Sequence, residues 1–153
     1  ISTLVAQEYG SGQERRAKKI FAAGTALIAV ISLLLTALII PAGGHLIAVF
    51  GAGQEAIEIG NNFFRRIAVF YLIYGLATAI RSYLEGIGDM NYSSFAGIIS
   101  LISRIIASYT MVSIFANMVI AYAEGFSWVV LLLMYAVRIL WKEKNFKRST
   151  DNI

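Results

Sequence analysis

Between Lys19 and Pro41 the chain carries no charged side chain, and residues 20–40 (IFAAGTALIAVISLLLTALII) read as one apolar helix. At 1.5 Å per residue such a helix is roughly 30 Å long, matching the hydrocarbon core of a bilayer. A helix that is apolar all round must be enclosed by protein or by lipid. A chain of 153 residues that is 58% hydrophobic and 14% charged lacks the polar surface to enclose it as a soluble domain. The polar residues are also clustered, with long uncharged runs between them. The expected fold class is therefore all-α, a polytopic transmembrane helix bundle.

Residues 1–7 (ISTLVAQ) look like the last turns of a helix, followed by a polar connection at 8–19 in which Gly10 and Gly12 act as breakers. The first span, 20–40, is expected to end at Pro41 and the pair Gly43 and Gly44. Residues 43–61, broken by Gly51 and Gly53, fit a short interfacial helix. A second span follows at 62–84, with Arg65, Arg66 and Arg81 snorkelling to the interfaces. A third covers 91–114 and, after a link at 115–125, a fourth covers 126–141, with Trp128 and Trp141 near its ends as interfacial aromatics. A basic tail, 142–153, closes a single unit spanning 1–153. The start at Ile1, with no signal-peptide pattern, suggests a piece of a longer protein.

Orientation follows from the 13 Lys and Arg residues. With both ends cytoplasmic, only Arg65 and Arg66 fall outside, Arg104 lies within a span, and the other ten are inside. That is a strong positive-inside bias. The location is then a cell membrane, crossed four times, with lipid as one partner. Basic clusters at Arg15–Lys19 and in the tail suit anionic lipid better than nucleic acid, since no folded basic face is available.

Little points to catalysis. There is no cysteine, which excludes disulfides and thiolate metal sites. No Walker loop is present, and the glycine pairs lack the strand–turn–helix setting of dinucleotide sites. His45 is the only histidine, without a second ligand nearby in sequence. Glu55 and Glu58 share a helical face but suit a solvated edge beside an interfacial helix. Neither an enzyme, a metal site nor a cofactor is expected.

The second and third spans are more informative. At 100° per residue, Tyr71, Tyr74, Thr78 and Arg81 fall within roughly 80° of one another. In the third span Ser93, Gly97, Ser100, Arg104 and Ser108 share a similar arc. Small and hydroxyl residues at such spacing commonly serve close helix packing. Arg104 asks for more: it lies roughly 20 Å into its helix, where an arginine is costly unless it faces water or a partner. Glu124 is a candidate acidic partner, and an acid upstream of this stretch is another; Glu124 also suits a cap at the start of the fourth helix.

Four segments together resemble the multidrug and toxic compound extrusion (MATE) transporters: AQEYGSGQERRAKK at 6–19, IRSYLEGIGDMNYSS at 80–94, SLISRIIASY at 100–109 and AEGFSWVV at 123–130. Their order and spacing are similar to the last four helices of one six-helix half, and the arginine and basic tail look like the second half. The resemblance implies a secondary antiporter that exports small organic cations in exchange for sodium ions or protons, with a second lobe of the same chain as partner. It implies a cavity lined by Arg104, Tyr71, Tyr74, Thr78, Ser100 and Ser108, and a cytoplasmic hinge or gate at Gly86, Gly88 and Asp89. The second span departs from the family pattern, since it has no Asp or Glu where many members carry a coupling acid. A lipid-linked oligosaccharide flippase of the same superfamily would share the architecture. A non-transporting membrane scaffold is the reading from a different class.

Overall fold

A computed structural model describes residues 1–150, with side chains described through Lys142 and at Lys144. Six α-helices follow one another: α1 (Ser2–Gly10), α2 (Glu14–Val49), α3 (Gln54–Ala68), α4 (Tyr71–Gly86), α5 (Met90–Phe115) and α6 (Val119–Thr150). A 3-10 turn, Ala116–Met118, joins the last two, and no strand occurs among the described residues. Of the expected basic tail, residues 151–153 lie outside the described residues.

The helix α2 and the run Met90–Lys142 are long and apolar enough to cross a membrane. The bent pair Gln54–Ala68 and Tyr71–Gly86, its halves at 49°, is a third candidate. The run from Met90 is not one straight rod. It folds back at Ala116, so that α5 and α6 lie antiparallel. Polar contacts step along the pair in opposite directions: Asp89 with Arg138, Ser93 with Tyr135, Ser100 with Ser127, and Arg104 with Glu124.

Several boundaries differ from expectation. Pro41 and the glycines after it do not end the first span, because α2 continues through them to Val49. A proline removes one helix hydrogen bond but not the helix when neighbours support it. Gly43 is instead a contact point, where a side chain would meet Phe64 at 3.1 Å. The expected second span is broken at Val69 and Phe70 with no proline or glycine there. The ring of Phe70 lies where a Gly125 side chain would stand, with its atoms 2.6–2.7 Å from that position. The break frees the Ala68 carbonyl, which accepts a hydrogen bond from the Thr36 hydroxyl of α2 at 2.9 Å. Gly125 is thus a notch for a ring rather than part of a link, and α6 starts well before it, at Val119.

Glycine also sets how closely other helices approach. A side chain at Gly75 would lie 2.3 Å from Ser32 Oγ of α2, and one at Gly86 would lie 2.9 Å from the Ser2 carbonyl of α1. Small residues let membrane helices gain van der Waals contact where water-driven burial is missing. One core gathers Ala77, Leu84, Ala96 and Tyr135; another gathers Ile67, Ala121 and Trp128. The large apolar side chains face outward instead, among them Leu27, Leu34 and Leu38 of α2 and Ile98, Ile105 and Ile106 of α5. An apolar exterior around a small-residue interior is the pattern expected of helices solvated by lipid.

Candidate functional site

The serine stripe on α5 faces α6. The Ser100 hydroxyl, 5% exposed, donates to the Ser127 carbonyl at 3.0 Å. One turn further along, Arg104 Nη2 stands 2.8 Å from Glu124 Oε1, and its Nε donates to Ser127 Oγ over 3.4 Å. The Ser127 hydroxyl in turn donates to the Glu124 carbonyl at 2.7 Å. The charges of Arg104 and Glu124 thereby compensate one another, with side-chain exposures of 36% and 21%. Glu124 does not cap its helix, since α6 begins five residues earlier and has no acid in its first turn. Ser108 and Gly97 do less. Ser108 donates back to the Arg104 carbonyl of its own helix, and a side chain at Gly97 would meet nothing within 4 Å.

The aromatic stripe of α4 meets the same stretch of α6. The Tyr74 ring centroid lies 4.8 Å from that of Trp128, and that of Tyr71 lies 6.3 Å from it. Tyr74 is 46% exposed, whereas Trp128 is 8% exposed. Trp128 was expected at an interface; it is instead a core residue two turns inside α6, because that helix starts earlier than its glycine suggests. Sequence reasoning missed it as a site residue for that reason. Glu124 and Trp128 are four residues apart, so they share a face of α6. Thr78 stays local, its hydroxyl donating to the Tyr74 carbonyl.

At the other end of the hairpin the turn between α4 and α5 is tied down. Gly88 has φ of +84°, a left-handed conformation that glycine adopts without a steric penalty. Asp89 receives hydrogen bonds from Arg138 Nε at 2.8 Å and Nη2 at 3.2 Å, and Lys142 Nζ lies 3.0 Å away. The hydrogen bond from Arg138, and to a lesser degree that from Lys142, holds the Asp89 carboxyl below the usual carboxylate range, against the opposing effect of burial. The Arg138 guanidinium also stacks over Tyr92 at 4.7 Å and Trp141 at 5.1 Å. Beside it Glu85 joins Arg81 at 2.7 Å and Ser93 at 3.0 Å. The sequence singled out Gly86, Gly88 and Asp89 but offered no sign that Arg138, 49 residues on, would be their partner.

A cleft of about 280 Å³ opens near this end, lined by Tyr9, Lys18, Tyr83 and Lys142. It shares no residue with the Arg104 and Trp128 cluster. Among the described residues no group of three or more acidic, His or Cys side chains gathers as a metal site.

The MatE family model matches residues 1–110, a stretch that includes Tyr71, Tyr74 and Arg104. Comparison with curated proteins and with solved structures yields no match.

Proposed function

The chain belongs to the MatE family of membrane transporters, and we propose that it works in a secondary active antiporter exporting organic cations in exchange for sodium ions or protons by alternating access. The observation that carries this reading is the placement of Glu124, paired with Arg104, one helical turn from Trp128 and its neighbours Tyr71 and Tyr74. A carboxylate beside aromatic faces offers an organic cation both charge neutralisation and cation–π contact. In this reading α2, the bent α3–α4 pair, α5 and α6 make four crossings, with both ends of the chain cytoplasmic. A second helical lobe completes the cavity, and lipid surrounds the apolar exterior. The turn at Gly86, Gly88 and Asp89 is a cytoplasmic hinge or gate, fastened to α6 through Arg138 and Lys142.

The test is efflux of a lipophilic cation from proteoliposomes holding the full-length protein, under an imposed sodium or proton gradient. Glu124→Gln is expected to lower efflux about tenfold or more, the loss of roughly 1.4 kcal/mol of cation contact. Unchanged efflux would leave the pair as a helix fastening, which is the scaffold reading. Movement of a lipid-linked oligosaccharide instead of the cation would favour the flippase.

A further inference from the structure

The two arginine–carboxylate pairs of the α5–α6 hairpin are built differently. Arg138 reaches Asp89 through two nitrogens, Lys142 adds a third contact, and two aromatic rings hold the guanidinium from its faces. The Asp89 side chain is only 10% exposed. Arg104 reaches Glu124 through one short contact, and its Nε contact to Ser127 is long at 3.4 Å. Arg104 and Glu124 are the more accessible pair, at 36% and 21% against 27% and 10% for Arg138 and Asp89. A two-pronged, stacked pair is a fastening; a single-pronged, part-exposed pair exchanges partners readily.

The single-pronged pair is also the one beside the aromatic cluster. Tyr74 presents an exposed ring, and Trp128 lies on the same face of α6 as Glu124. The facing cations from neighbouring elements are few. Arg104 comes from α5, and Arg66 of α3 is engaged with the Tyr122 hydroxyl and stacked on its ring. A carboxylate at this depth is costly without a cation, so it needs one when no substrate is bound.

We propose that Arg104 is a tethered stand-in for the transported cation: it occupies Glu124 in the empty site, and an organic cation seated on the exposed Tyr74 ring, which Trp128 backs, displaces it. Arg104 then competes with substrate rather than binding it. When substrate leaves, Arg104 returns and prevents the empty carboxylate from holding the departing cation. The inference rests on the organic-cation reading of this site and adds a direction of effect that the reading alone does not supply.

The experiment measures binding of tetraphenylphosphonium to full-length protein in detergent, together with cation–cation exchange and net efflux in proteoliposomes. Arg104→Gln is expected to bind the probe about two- to fivefold more tightly, the span set by a part-exposed ion pair. It should retain exchange while net efflux falls, because release is now slow. Glu124→Gln should lose binding. Arg104→Lys, which keeps the charge but loses the planar fork, should lie between wild type and Arg104→Gln, and it carries the test if the glutamine variant does not fold. Absence of binding by the wild type, or full binding by Glu124→Gln, would overturn the organic-cation reading itself. Normal wild-type binding with unchanged or weaker binding in the Arg104 variants would overturn only the stand-in.

Discussion

The carboxylate of Asp89 grips the guanidinium of Arg138 with both oxygens, at 2.8 and 3.2 Å, across 49 residues of chain. This contact joins the start of α5 to α6, and through Gly88 it fixes the end of α4. The hairpin is therefore anchored at the end away from the Arg104 pair.

Replacing Asp89 with Asn should destabilise the protein by about 1–2 kcal/mol at neutral pH, through loss of charge-assisted bonds to Arg138 and Lys142. The folded protein holds this carboxyl below its ordinary value of 3.8. Its stabilisation is thus fully present above that value and is lost as pH falls through the lower, folded one. Melting curves in detergent should show a constant gap between wild type and Asp89→Asn near neutrality, closing below about pH 4.

The ring of Phe70 and the notch at Gly125 form a matched pair, with ring atoms 2.6–2.7 Å from where a β-carbon would sit. Gly125→Ala alone should cost about 1–3 kcal/mol by overpacking. In a Phe70→Ala background the same change should cost little. A double-mutant cycle of melting temperatures checks the coupling; additive costs would show that the notch does not set the α3–α4 bend.

Ala116 has φ of 43° and ψ of −118°, the only non-glycine with positive φ among the described residues. An L side chain is strained there, and glycine is not. Ala116→Gly should raise stability by about 1 kcal/mol, read as a higher midpoint in thermal unfolding, with efflux unchanged.

Tyr74→Ala removes an exposed ring from beside Trp128. It should weaken binding of an aromatic cation by about 1 kcal/mol, or fivefold, while an inorganic cation's effect on the protein stays the same. Tyr74→Phe should bind as wild type, since the ring face rather than the hydroxyl makes the contact.

Much of this architecture is legible in the chain itself. Long uncharged runs between clustered charges mark membrane helices, and the period of Ser93, Ser100 and Arg104 correctly puts one face of α5 against a neighbour. The errors share a physical cause. Pro41 and Gly125 are helix breakers in water, but in a membrane bundle the first stays within α2 and the second becomes a packing notch. The α3–α4 bend has the opposite character: no breaker marks it, and tertiary contacts of Phe70 and Ala68 accompany it. Trp128 reads as interfacial only for a helix that begins at residue 126; α6 begins at Val119. Partner choice over long separations, such as Asp89 with Arg138, has no local signal at all.

The continuation of α2 through Pro41 has a consequence for the surrounding lipid. From Ile20 to Val49 the helix carries no Lys, Arg, Asp or Glu, a length of roughly 45 Å against about 30 Å of hydrocarbon. Bilayers differing in tail length by several ångströms can slide along α2 without drawing a charge into the oil. Arg81 near the end of α4 leaves no such slack. Asp89, Arg138 and Lys142 at one end of the run Met90–Lys142 likewise leave less slack than α2 does.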